Sequence, residues 1–240
     1  MVNGKRLVVL CLVLAVVAPM VMSQQAGSPD MTVEQSYLQE SIELMIIREQ
    51  SRSNSRDMKF IALEYIGDLI ARGNRSPELM SSLEFLALEG VRTQSREAGR
   101  LINNFPDVRM RAATRLGEVG TPEARDVLLS MILADNEPMV IAEAIRSLGI
   151  IGLNDYDQTA NAIAWVVARF DYINPDNMLA FSALEAYERL AIANGGFISP
   201  ASISSIMRIA EGNYIRPVRE RARTLLSDLR GGQAFRQQQD

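Results

Sequence analysis

One spacing, repeated five times, limits what this chain can fold into. An apolar residue is followed by alanine four residues on, and by large apolar residues eight and eleven on. The copies are Met58, Ala62, Ile66, Leu69; Val108, Ala112, Leu116, Val119; Val140, Ala144, Leu148, Ile151; Leu179, Ala183, Tyr187, Leu190; and Val218, Ala222, Leu226, Leu229. At about 100° per residue these offsets return to one stripe of an α-helix. The constant alanine asks for more than amphipathicity, because it lets a neighbouring helix approach closely at the same height in every copy. The copies start at 58, 108, 140, 179 and 218, and intervals of 32 to 39 residues suit stacked helical pairs.

Between the copies lie second helices with their own start signals. Ser76-Pro77, Thr121-Pro122 and Ser199-Pro200 each put a capping hydroxyl before a proline whose missing N–H costs nothing at the first helical position. The helices that follow carry Leu79, Leu83 and Leu86; Val127, Leu128 and Met131; and Ile203, Ile206 and Ile209. A fourth starts near Asp157 and presents Ile163, Val167 and Phe170, with Trp165 at its flank. Gly73, Gly120, Gly152 and Gly195 close the first helices of four pairs, and Gly117 and Gly149 read as helix-closing glycines too. The long first interval accommodates an additional short helix from Gln94 to Asn103 bearing Ala98, Leu101 and Ile102. At the N-terminal side, Thr32 and Gln35 have capping-box spacing, and Leu38, Ile42, Met45 and Ile46 form the apolar face of a capping helix ending near Arg48. The fifth copy has no second helix after it, only Gly231-Gly232 and a polar tail expected to fray.

The stretch Pro106-Asp107-Val108-Arg109-Met110-Arg111-Ala112-Ala113-Thr114-Arg115-Leu116-Gly117-Glu118-Val119-Gly120 resembles the first helix of a HEAT repeat of the type also found in phycobilisome lyases. Pro138 to Gly152 is similar, and Pro217 to Leu226 is a partial match; in the fourth copy Glu188 replaces the glycine seen at Gly117 and Gly149. The resemblance covers about residues 55 to 230. It implies an all-α, right-handed solenoid of HEAT-like helical hairpins, and a surface for binding other proteins. Its lyase-like branch supplies an alternative, an enzyme or enzyme subunit.

The first residues set the expected compartment. Lys5-Arg6, an apolar run from Leu7 to Met22, and Ser23-Gln24-Gln25 have the three-part layout of a secretory signal. Sixteen apolar residues make a helix of about 24 Å, short of a hydrocarbon core near 30 Å, so cleavage before Gln24 is expected over retention as an anchor. The expected organisation is a signal peptide over 1–23, a linker and capping helix over 24–54, the solenoid over 55–230 and a polar tail over 231–240. The expected location is the periplasm, with no stable membrane span after cleavage.

Removing residues 1–23 leaves a net charge of −6, which opposes general binding to nucleic acid. The chain has no histidine, and its single cysteine, Cys11, lies in the removed segment. That takes away most zinc, copper and haem chemistry and every thiol nucleophile. No hydrolase elbow, phosphate-binding loop or dinucleotide fingerprint occurs. Glu185 and Glu188 fit a solvated helix face, and Asn154, Asp155 and Asp157 fit a helix-capping turn. Arg109, Arg111 and Arg115 do not extend into a basic stripe, since Glu143 stands at the position of Arg111 in the next copy. No catalytic, cofactor-binding or metal-binding residue is therefore assigned, and the expected partner is a protein. On the second helices Arg125, Trp165, Arg169 and Arg208 are the candidate contacts, because arginine and aromatic anchors carry much interface energy. A further candidate is the end of the stack. Residues 30–50 carry −4 and residues 216–230 carry +3, so the surface with Arg219 and Arg223 suits another helix, from a partner or from the acidic end of a second copy.

Overall fold

A computed structural model describes residues 33–173, 175–196 and 199–231. Two compact units divide the chain, residues 1–39 and 40–240; of the first, only the helical residues 33–39 are described. The leader with Cys11, the capping residue Thr32 and the tail beyond Gly231 lie outside the described residues. Ten α-helices follow one another among those described: α1 (Val33–Arg52), α2 (Arg56–Ala71), α3 (Pro77–Leu88), α4 (Pro106–Val119), α5 (Pro122–Ala134), α6 (Pro138–Ile151), α7 (Gln158–Ile173), α8 (Asn177–Ala193), α9 (Pro200–Glu211) and α10 (Arg216–Gly231).

From Glu40 onward the helices form two layers. The first-type helices α2, α4, α6, α8 and α10, which carry the five copies of the spacing, pack each on the next. The second-type helices α3, α5, α7 and α9 do the same alongside them. The alanines explain the close layering: Ala62, Ala112, Ala144, Ala183 and Ala222 are all fully buried. Met58 breaks the pattern at 43% exposure, because no first-type helix precedes α2 among the described residues.

Two glycines have a different role from the one their sequence position suggests. Gly117 and Gly149 lie inside α4 and α6 and do not close them; Gly120 and Gly152, at φ 72° and 73°, do that. A Cβ on Gly117 would stand 2.9 Å from the Ser147 Cβ, and one on Gly149 would stand 2.7 Å from the Ala186 Cα. Each glycine is thus the seat of a small residue from the next first-type helix. In the fourth copy Glu188 fills that seat and pairs with Arg221 of α10.

Helix starts follow the hydroxyl-proline signals. The side chains of Ser76, Thr121 and Ser199 accept the N–H groups of Leu79, Ala124 and Ser202, with Pro77, Pro122 and Pro200 opening the helices. The expected helix between Gln94 and Asn103 does not form. Arg96–Glu97 (β1) pairs antiparallel with Arg100–Leu101 (β2) instead. Ala98 and Gly99 between them take φ values of 49° and 80°, the left-handed pair of a tight hairpin turn. The Asn103 side chain closes the loop by accepting from the Ser95 N–H and donating to the Thr93 carbonyl.

The N-terminal helix also departs from expectation. It runs one turn beyond Arg48, and its buried residues among those described are Ile47 and Ser51, with Leu44 packed beside the core. The apolar face read from sequence is outward: Leu38, Ile42, Met45 and Ile46 are 65, 57, 63 and 43% exposed.

A chain of buried polar groups crosses the first two hairpins. Lys59, the one lysine after residue 23, is fully buried with its Nζ 2.8 Å from the Ser51 carbonyl and 2.6 Å from Glu89 Oε2. The Glu89 carbonyl also accepts from Arg109, which donates through Nε and Nη2 to both carboxylate oxygens of Asp135 at 2.6 and 3.3 Å. Asp135 in turn accepts the N–H groups of Asn136 and Glu137, which turns the chain from α5 into α6. A buried pair of this kind is costly to break because the surviving charge is stranded.

Two outcomes follow for stability. Gly149→Ala, which pushes a methyl into helix backbone, lowers the melting temperature. Gly67→Ala lowers it less, since its new methyl meets only the far end of the Arg115 side chain and a gain of about 1 kcal/mol in helix propensity offsets the loosened Arg115 bonds to Leu63 and Glu118. Asp135→Asn removes about 3 kcal/mol or more of unfolding free energy, read by urea denaturation.

Candidate interaction surface

The second-type layer carries four of the six contact residues read from sequence, and it uses most of them internally. Arg125 on α5 is 9% exposed and donates to Asp155, 2.5 Å away in the turn before α7, and to its neighbour Asp126. Burial alone would lower its pKa, but the hydrogen bonds to Asp155 and Asp126 outweigh that and raise it. Its guanidinium holds α5 to the start of α7.

Arg169 on α7 does the same at the other end of α5. It donates to the carbonyls of Asp135 at 2.9 Å and Leu133 at 3.4 Å, groups that the last turn of a helix leaves without intrahelical partners. Its carbon centre lies 5.3 Å from the ring centroid of Trp165 and 5.0 Å from that of Phe170. Trp165 therefore rests on a guanidinium already fixed by backbone. Its ring is 53% exposed, and Tyr172, seven residues on and on the same helical face, is 90% exposed. Arg208 on α9 reaches Asp171 of α7 at 3.6 Å. The structure thus gathers Trp165, Arg169 and Arg208 around the C-terminal half of α7, while Arg125 stands at the opposite end of that helix.

Arg219 and Arg223 lie on α10, away from this cluster. Arg223 donates to the Ala210 carbonyl in the last turn of α9, repeating what Arg169 does for α5. Arg219 is partly exposed and makes no ion pair among the described residues.

Sequence reasoning missed two aromatic groups. Tyr172 had a usable signal in its seven-residue spacing from Trp165. Tyr156 had none: it is fully exposed in the short 3-10 turn Asp155–Asp157, where Tyr156 and Asp157 have φ values of 50° and 60°. Asn154 sustains this turn by accepting the Ala160 N–H and donating to Asp157. The cap is thus Asn154, and Asp155 is the pairing group, held by Arg125.

An open groove of about 620 Å³ separates α3 from α5. Met80 and Val127 line it, with Glu84, Glu123 and Asp126 adding acidic groups. Among the described residues no three carboxylate or thiol side chains converge as metal ligands, and no helix is long and apolar enough to cross a membrane.

Two layers of antiparallel helical pairs, each pair packed only on its neighbours, define an α-solenoid. Residues 100–185 match the family model for HEAT repeats, and with the packing this supports an all-α HEAT-like solenoid. No curated protein matches the chain. HEAT repeats commonly serve as surfaces for protein interaction.

Exposure separates the anchor from its support. Trp165→Ala leaves unfolding free energy within about 0.5 kcal/mol of the parent, as for other surface changes. Arg169→Ala lowers it by about 1 to 2 kcal/mol through the uncovered carbonyls of α5. Chemical denaturation of the two variants checks the difference.

Proposed function

We propose that this protein is a non-catalytic scaffold, exported to the periplasm, that binds another protein through its second-type helices. The observation that carries this reading is the half-exposed Trp165, seated on Arg169 and followed by Tyr172 on the same face of α7. A large aromatic ring held on a fixed guanidinium presents apolar area without first having to be ordered, which is how interface anchors act. The surrounding polar groups favour a supporting role over chemistry: Arg125 is engaged with Asp155, Arg169 with backbone and Asp171 with Arg208. Export rests on the leader layout of residues 1–25, and the acidic charge opposes nucleic acid as the partner. Arg208 belongs to the rim of the surface and Arg125 to its foundation. The oppositely charged ends of the stack make a second copy of the chain another partner, with Arg219 and Arg223 at the basic end.

The test is photo-crosslinking in living cells from a reactive residue placed at Tyr172, since the one lysine after residue 23 is buried and amine reagents would miss it. The expected result is a single envelope protein in stoichiometric yield, lost on Trp165→Ala, from a chain whose mass starts at Gln24. Recovery of the chain alone with a retained small molecule would instead favour the lyase-like enzyme.

A further inference from the structure

The described stack begins and ends on half a hairpin. From Glu40 onward α1 has the place of a second-type helix. It leads into α2 through residues 53–55 and runs antiparallel to it, with Glu43 on Arg72 and Glu40 on Asn74. Its end reaches the same Lys59 that meets the end of α3 at Glu89. No first-type helix precedes it among the described residues, and Ile42, Met45 and Ile46 face outward.

Helix α10 is the reverse case. Val218 and Ala222 are buried against the stack as their counterparts are in α4, α6 and α8, but no second-type helix follows among the described residues. The difference shows eight residues into the spacing. Ile66, Leu116, Leu148 and Tyr187 are fully buried there, whereas Leu226 of α10 is left partly exposed.

We infer that α10 of one molecule docks on α1 and α2 of the next, completing between two chains a hairpin that the described residues of neither hold alone. The inference gives a structure to the self-association proposed above. Charge supports it: α1 carries Glu34, Glu40, Glu43 and Glu49 against Arg48 and Arg52, and α10 carries Arg216, Arg219, Arg221, Arg223 and Arg230 against Glu220 and Asp228. Register supports it independently. Arg219 occupies the position of Lys59 and Arg109, the cations that copies one and two bury against a carboxylate at the end of the second-type helix. Glu49 in the last turn of α1 is exposed and makes no ion pair among the described residues. With Arg219 level with Glu49 in an antiparallel pair, seven residues along each helix bring Leu226 level with Ile42, and Ala222 beside Met45 and Ile46.

The seat on α2 is also open. Tyr65 stands where Arg115, Ser147 and Ala186 stand in later copies, the position that meets the preceding first-type helix at its glycine. Tyr65 is 47% exposed and Ile61 41%, and α10 offers the small Ser227 at the glycine position. Because the two surfaces differ, the contact is heterologous and chains add in a row.

Light scattering on the protein purified from the full-length gene tests this through a charge exchange. The parent is expected to gain mass beyond a dimer as concentration rises. Glu49→Arg and Arg219→Glu, taken singly, each weaken association by about tenfold or more, and an equimolar mixture of the two restores it, because each altered head then meets a complementary tail. A parent that stays monomeric, or that stops at a dimer indifferent to both substitutions, overturns the proposal. In a Cys11→Ser background, Ile42→Cys with Leu226→Cys should give a ladder of bismaleimide-linked oligomers. If the charge exchange works and this ladder is missing, the ends attract each other without completing a hairpin. Capture at Tyr172 is read separately on α7, so the scaffold can fail while the row stands, and the reverse.

Discussion

The stack depends on how closely successive first-type helices approach. Alanine at the fourth offset removes bulk along one line, and Gly117 and Gly149 remove it along another, where Ser147 and Ala186 enter. A methyl group at either glycine would collide with the next helix at under 3 Å, so spacing between repeats is set by backbone and not by adjustable side chains. At the fourth copy the mechanism changes. Glu188 is too large for close approach, and its ion pair with Arg221 holds α10 in place of a packed seat. Rigid spacing in one layer fixes the other, and so fixes the height at which Trp165 emerges.

Arginine in this protein works chiefly as stitching. Arg169 and Arg223 cover the last carbonyls of α5 and α9, Arg125 ties α5 to the turn before α7, and Arg109 is almost wholly buried. Each bond joins a helix to one in the neighbouring pair or to its own partner across the layers. A high arginine content therefore says little about a charged ligand. The exposed aromatic groups say more where they share a surface, as Trp165 and Tyr172 do on one face of α7.

Most of the fold was legible because it repeats. The stripe of five copies, the hydroxyl-proline starts and the closing glycines each rest on a rule that local sequence obeys, and the helices fall where those rules put them. The segment from Gln94 to Asn103 was misread because Ala98, Leu101 and Ile102 have helical spacing, while the fold depended on Ala98 and Gly99 turning left-handed. The outer face of α1 was misread for another reason. Leu38, Ile42, Met45 and Ile46 are the most apolar line on that helix, but from Glu40 onward burial falls on Ile47 and Ser51, beside Lys59 of α2. The roles of the surface residues were not legible: the structure shows Arg125 and Arg169 engaged with Asp155 and with the last carbonyls of α5, while Trp165, seated on Arg169, and Tyr172 keep exposed faces.

Glu89 belongs to two partnerships at once. Its carboxylate takes Lys59 and its carbonyl takes Arg109, which is itself held by Asp135. Opening either of the first two hairpins therefore parts a buried cation from its own carboxylate, and the Arg109 bond to the Glu89 carbonyl ties the two hairpins together. Copies three and four have Ile141 and Ala180 in place of Lys59 and Arg109, and carry no such debt. The chain is thus made of unequal cooperative blocks: amide exchange in α2 to α5 should report a single joint opening, while α6 to α10 can come apart pair by pair from the C-terminal side.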